Sequence, residues 1–174
     1  VAVPICTFGA RRFLTKSSLY MFDYIIVGAG QAGLAMAYQL KQLDANFLVL
    51  DGENEIGASW LKRWDSLKLF TPTEFNHLPG MPFPAKKGHY PNKYDVANYF
   101  KAYVERFELP IKLERKVVKV AKSENHFEVQ CMADSFQCKQ VIIASGPFHT
   151  PFIPPCHAAL SPDIKQLHSR DYRN

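Results

Sequence analysis

Residues 23–33 read DYIIVGAGQAG. An apolar run, Tyr24 to Val27, passes directly into Gly28-x-Gly30-x-x-Gly33. A helix-like stretch of small residues comes next, and a second apolar run, Phe47 to Leu50, ends in Asp51. Strand, glycine turn, helix, strand and acid in that order make a dinucleotide-binding βαβ unit. Gly28 lets the chain turn sharply out of the strand. The missing Cβ of Gly30 lets a pyrophosphate reach the backbone, and that of Gly33 lets the helix lie close to the sheet. The helix start, with Gln31 and Ala32 in its first turn, offers free N–H groups and the positive end of a dipole. Asp51 stands 23 positions after Gly28. A carboxylate there accepts hydrogen bonds from a ribose diol and repels a 2′-phosphate, so the ADP half of FAD or NAD fits better than NADP.

The chain has 174 residues, 47% of them hydrophobic and 13% aromatic. That is enough for one packed core, and the length fits one domain or slightly more. No apolar run is long enough to span a membrane. The net charge of +5 is uneven, because Arg11, Arg12 and Lys16 lie in a first stretch of twenty residues that holds no acid. Elsewhere basic and acidic residues alternate, which argues against nucleic acid as a partner. Residues 1–20 show no clear period and begin without Met. They read as a leader or non-native extension ahead of Met21.

Four cysteines, Cys6, Cys131, Cys138 and Cys156, form no C-x-x-C, so no redox-active dithiol is expected. Cys131 and Cys138 fall on neighbouring strand-like segments and read as buried thiols. Cys156-His157 lacks the second ligand pair of a zinc site, and no metal is expected. This cysteine usage points to a reduced, cytoplasmic setting.

Beyond the βαβ unit, Leu67 to Phe70 reads as a short extended segment. Five prolines between Thr71 and Pro91 forbid regular structure there. Asn92 is a good N-cap with Asp95 at N3, opening a helix to about Phe107. Val96, Tyr99, Phe100, Tyr103, Val104 and Phe107 share one face of it and read as core. Ile111 to Ala121 reads as one strand. Phe127 to Met132 and Ser135 to Lys139 read as a hairpin turning at Ala133-Asp134. Val141 to Ala144 is a continuous apolar run, expected at the centre of a parallel sheet and covered on both faces. Its end, Ser145-Gly146-Pro147, lies where ligands bind in open α/β sheets. Prolines then mark a linker. The expected fold is α/β: a Rossmann-like FAD/NAD(P)-binding domain, residues 21–150, with a central parallel sheet and a small antiparallel β-meander. Residues 151–174 are expected to lead toward a further domain, so the chain reads as a fragment.

DYIIVGAGQAG, GASWLKRWDSLKLFTP (residues 57–72), GHYP (88–91), ASG (144–146) and QLHSRDYRN (166–174) together resemble the FAD-binding half of a flavin-containing monooxygenase. The bacterial and plant YUCCA-type branches are the most similar. The resemblance implies an NADPH-dependent enzyme in which the reduced flavin takes up dioxygen. A flavin hydroperoxide then oxygenates a small nitrogen or sulfur nucleophile, or a carbonyl. The cofactor carries the chemistry, so no side chain is assigned a catalytic role.

Position by position, the resemblance puts Gly28, Gly30 and Gly33 against the FAD pyrophosphate and Asp51, more often Glu in the family, on the ribose. Gly57, Ser59 and Trp60 match the segment lining the ribityl chain and flavin, with Gly57-Ala58 where the family usually has Gly-Gly. Trp64 and Thr71 are expected toward the flavin ring, Val117 at the adenine, and Gly146 at the end of the family's ATG-like motif. His168 and Tyr172 match the end of the signature F-x-G-x-x-x-H-x-x-x-W/Y, whose Phe and Gly are Pro162 and Ile164 here. The family's second G-x-G-x-x-G, for NADPH, has no counterpart in these residues, so FAD is the one cofactor expected on this chain. Dioxygen and a small-molecule substrate are the expected partners, and a homodimer stays open. Two other readings stay open as well: a stand-alone FAD- or nucleotide-binding module without turnover, and an NAD-dependent oxidoreductase.

Overall fold

A computed structural model describes residues 21–147 and 151–174; the extension expected over residues 1–20 lies outside the described residues. The regular elements are β1 (Met21–Val27), α1 (Gln31–Gln42), β2 (Phe47–Leu50), α2 (Ala58–Leu61), α3 (Lys93–Phe107), β3 (Ile111–Lys112), β4 (Val117–Lys122), β5 (Phe127–Cys131) and β6 (Ser135–Ile143). Short 3₁₀ turns occupy Thr73–Phe75 and Pro155–Ala159. Among the described residues, no helix is long and apolar enough to cross a membrane.

The six strands form one mixed sheet in the order β3-β2-β1-β6-β5-β4. The β2–β3, β1–β2 and β1–β6 pairs are parallel, and β4–β5–β6 is an antiparallel meander. Register decides where a ligand site can form. Val27 pairs with Leu50 on one side and with Ile143 on the other, so three strands end level. The loops after β1, β2 and β6 therefore emerge side by side at the carboxyl edge, the ligand side of an open α/β sheet.

Two apolar clusters hold the two faces. On one face, Leu34, Ala37 and Leu40 of α1 and Val96, Tyr99, Phe100 and Tyr103 of α3 pack with Ile26 and Val49. On the other, Ile25, Leu48 and Leu50 meet Val129, Cys131 and Cys138 of the meander. The period-3.6 apolar face expected on α3 is the one buried. The helix opens with a full capping box, Asn92 accepting from Tyr94 and Asp95 N–H while Asp95 accepts from Asn92 N–H.

Three expectations need correction. Ile111 to Ala121 is not one strand. Glu114 adopts a positive φ of 54°. Glu114 N–H donates to Glu53 O at 2.8 Å and Arg115 N–H to Asp51 O at 2.7 Å. The chain thus leaves the sheet at one edge and re-enters at the other, as β3 and β4. Second, Ser135–Lys139 and Val141–Ala144 are not separate segments but one strand, β6. Third, the apolar end of β6 is not covered on both faces. Ile142 and Ala144 pack against the helix-side cluster and Val141 against the other, but Ile143 at the tip is 64% exposed.

Candidate nucleotide and flavin site

The loop after β1 is held by its neighbours. Gly28 N–H donates to Leu50 O and Ala144 N–H donates to Val27 O, each at 2.8 Å. Gly28 has φ +108°, and a Cβ on it would lie 2.5 Å from Ala144 O. A Cβ on Gly33 would lie 1.9 Å from Gly28 O, so α1 leans on the loop directly. Around Gly30 the situation is reversed: a Cβ there would meet nothing within 4 Å. Gly30 is the N-cap of α1 in extended backbone, no side chain caps the helix, and no acid sits in its first turn. The first-turn N–H groups, those of Gln31 and Ala32 among them, start a helix uncapped beside an open space. That is the arrangement that receives a phosphate.

Asp51 closes the other side of this cradle. Its Oδ2 accepts from Ala29 N–H at 2.6 Å, and its Oδ1 from Glu53 N–H at 2.8 Å. Each carboxylate oxygen has a further lone pair, so a half-exposed Asp51 can still accept from a diol. Gly52 comes next, against the Cα and Cβ of Lys116. This contact brings the start of β4, with Val117, close to Asp51.

A cleft of about 320 Å³ adjoins the start of α1, with Gln31 in its wall. Trp60 and Thr71 line it, as do Leu69, Phe70, Phe75, Asn76, His77, Leu78, Phe83, Val96 and Phe100. Sequence reasoning singled out only Gln31, Trp60 and Thr71 of these. Val96 and Phe100 read as core because their helical period is apolar. Phe70 is 95% exposed, and exposure in a Pro-rich segment gave the sequence no period by which to find it. Thr71 Oγ1 bonds Asn76 Oδ1, and Asn76 Nδ2 donates back to Thr71 O at 2.8 Å.

The floor of the cleft hangs from α3. Tyr99 OH accepts from Leu78 N–H and donates to Met81 O, both at 2.7 Å, while Tyr103 OH donates to Pro79 O at 2.7 Å. The rings of Phe83 and Tyr99 pack with centroids 4.6 Å apart. Burial pushes both tyrosine hydroxyls above their ordinary pKa. Glu74 accepts from Gly88 N–H at 2.9 Å, and this bond holds its carboxyl low.

The other expected site residues do not line the cleft. Gly57, at φ +83°, packs α2 onto α3: a Cβ there would meet Ala97 Cα at 2.7 Å. Ser59 is exposed, and half-buried Trp64 does not line the cleft. Val117 pairs with Cys131 and packs into the second apolar cluster. Gly146 has φ +75° with open space around it, in the loop that abuts Gly28. Cys131 and Cys138 are buried free thiols whose pKa burial raises. Among the described residues no group of three or more His, Cys, Asp or Glu could hold a metal. His168 Nδ1 accepts from Arg170 N–H at 3.1 Å within its own turn. Arg173 comes back to the tryptophan block, donating to Lys62 O at 2.6 Å while its carbonyl accepts from Asp65 N–H at 2.9 Å.

The residues present fit an FAD. The Gly30 space suits a pyrophosphate, the uncapped helix suits its charge, Asp51 suits a ribose, and the aromatic cleft suits a planar ring system.

Residues 25–173 match the family described as pyridine nucleotide-disulphide oxidoreductase. The chain is 46% identical over 154 residues to the uncharacterized oxidoreductase CzcO of Bacillus subtilis (strain 168), covering 88% of this chain and 45% of that protein. It is 32% identical over 173 residues to the probable indole-3-pyruvate monooxygenase YUCCA7 of Arabidopsis thaliana, covering 92% of this chain and 40% of that one. Among solved structures, the flavin-containing monooxygenase from Stenotrophomonas maltophilia superposes with a TM-score of 0.74 at 30% identity, over 77% of this chain and 41% of that one. The chain thus spans less than half the length of these relatives.

Proposed function

The chain belongs to the pyridine nucleotide-disulphide oxidoreductase family, and on that premise we propose that it is the FAD-holding part of an NADPH-dependent flavin monooxygenase. The observation that carries this reading is the continuity of the site. One uncapped helix start, beside the empty space at Gly30, faces a phosphate cradle on one side and sends Gln31 into an aromatic cleft on the other.

In this reading the N–H groups at Gln31 and Ala32, with Gly28, Gly30 and Gly33, hold the pyrophosphate. Asp51 holds the adenosine ribose, and the backbone at Val117 borders the adenine. Trp60 and Thr71 border the flavin ring, Gly57, Ser59 and Trp64 support that segment, and Gly146 bounds the loop beside Gly28. When bound, the flavin supplies the redox chemistry, taking reducing equivalents from NADPH and activating dioxygen. The chain's own task in this reading is to orient the ring and keep water from it, a task that aromatic walls suit. The substrate class is a small nitrogen or sulfur nucleophile, or a carbonyl compound. The nicotinamide site belongs to the part of such proteins that this chain does not cover. The reading also places the protein in the cytoplasm, where unbridged Cys131, Cys138 and Cys156 stay reduced.

The test is the visible absorbance spectrum of the purified chain, with release and identification of its cofactor. A flavin spectrum with near-stoichiometric FAD is expected. A folded, colourless protein that ignores added FAD would refute the reading, and retention of NAD in its place would favour a dehydrogenase.

A further inference from the structure

Lys93 is the first residue of α3 and only 3% exposed. Local energetics disfavour a cation there on two counts. The start of a helix is the positive end of its dipole, and burial strips the ammonium of water. A residue that breaks local rules in this way marks a place where something other than stability is served. The ammonium has two acceptors, Arg63 O at 2.9 Å and Asp65 Oδ1 at 2.5 Å. These flank Trp64 and fix the end of the segment that begins with Trp60, whose carbonyl accepts from Arg63 N–H at 2.9 Å.

The opposite wall of the cleft is tied to the same turn. Leu69 N–H donates to Pro91 O at 2.8 Å, and Lys68 bridges to Asn92. Thr73 N–H and Thr73 Oγ1 both donate to His89 O at 2.8 Å. Trp60, Leu69, Phe70 and Thr71, which line the cleft, therefore sit on two segments pinned to residues 89–93. The backbone of that turn holds one segment, and the Lys93 side chain holds the other.

We propose that Lys93 is a positioning residue for the flavin cleft, setting the Trp60 wall against the Thr71 wall at the spacing a flat ring requires. The inference rests on the flavin reading above. It assigns Lys93 no contact with the cofactor; Lys93 acts through the Trp60–Asp65 segment.

The test uses the 174-residue chain titrated with FAD. Lys93→Met keeps the length of the stem and removes the charge. FAD binding should weaken about tenfold, since a charge-assisted bond is lost, and the visible flavin band should shift. A purely structural role would not couple to Trp60. With Trp60→Phe the losses should be non-additive, the double variant binding within about twofold of Lys93→Met alone. Fully additive losses would overturn the proposal. If Lys93→Met does not fold, Asp65→Ala removes one acceptor from a side chain that is 53% exposed. It should weaken FAD binding about threefold with the same band shift. A wild-type chain that binds FAD while the folded variants bind it equally well, with unchanged spectra, overturns this inference alone. A wild-type chain that takes up no FAD overturns the parent reading and this one with it.

Discussion

The Asp51 carboxylate accepts a 2.6 Å hydrogen bond from Ala29 N–H, in the middle of the glycine turn. The acid at the end of β2 and the loop after β1 are thereby one piece before any nucleotide arrives. Under the proposed FAD reading, a ligand meets a preformed cradle and does not have to order it.

Asp51→Asn should loosen that cradle. The amide keeps one acceptor oxygen and turns an N–H₂ group toward one of two backbone donors. A loss of about 1–3 kcal/mol in folding stability is expected, with FAD affinity reduced about tenfold or more. Urea denaturation and an FAD titration measure the two. Unchanged affinity in a destabilised variant would leave Asp51 as a loop tether only.

Gly33 and Gly30 should part company on substitution. Gly33→Ala drives a methyl to within 1.9 Å of a backbone carbonyl, and should cost more than about 3 kcal/mol by forcing α1 off the turn. Gly30→Ala meets empty space and should change stability by less than about 1 kcal/mol. Its Cβ occupies the place expected for a pyrophosphate, so FAD binding should drop at least about tenfold. Thermal melts of both variants, with and without FAD, decide this. A Gly30→Ala chain that binds FAD like wild type would remove the phosphate from that space.

Alkaline pH should unfold the chain through its buried phenols. Burial raises the pKa of Tyr103 foremost, and of Tyr99. Above the ordinary tyrosine value of about 10, the unfolded chain has lost these protons while the folded chain retains them. The unfolded state then binds fewer protons, so stability falls as pH rises. The urea midpoint should hold steady up to about pH 9 and fall from about pH 10 upward. Tyr103→Phe should flatten that fall while costing about 1 kcal/mol at neutral pH, since Pro79 O loses its donor. Equal alkaline slopes in the two proteins would exclude Tyr103 as a source.

The parts legible in sequence were those whose signal is local. Phe47–Leu50 forms β2 and Lys93–Phe107 forms α3 at the bounds their patterns imply, because apolar period and the Asn92 cap act within a few residues. The break inside Ile111–Ala121 was not legible. Its cause, backbone bonds from Glu114 and Arg115 to Glu53 and Asp51, lies some sixty positions away in sequence. The same holds for the site. The glycine turn declared its own geometry, but Gly57 gave no sign that it packs against Ala97. Asn76 and His77 enter the cleft wall in a loop that bonds itself at Thr71, Pro72 and Glu74 and hangs from two tyrosines of α3. Lys93 carried a readable clue, a cation at the wrong end of a helix, but its partners Arg63 and Asp65 are visible only in three dimensions.

β6 is a single strand shared by two kinds of pairing. Its first part is antiparallel to β5, and most of its length is parallel to β1. The meander therefore cannot peel away without exposing the hydrogen bonds of β1, whose end opens the glycine turn. β6 thus couples the meander to the strand that opens the glycine turn, and native-state hydrogen exchange should find the amides of Ile25 and Val129 losing protection together.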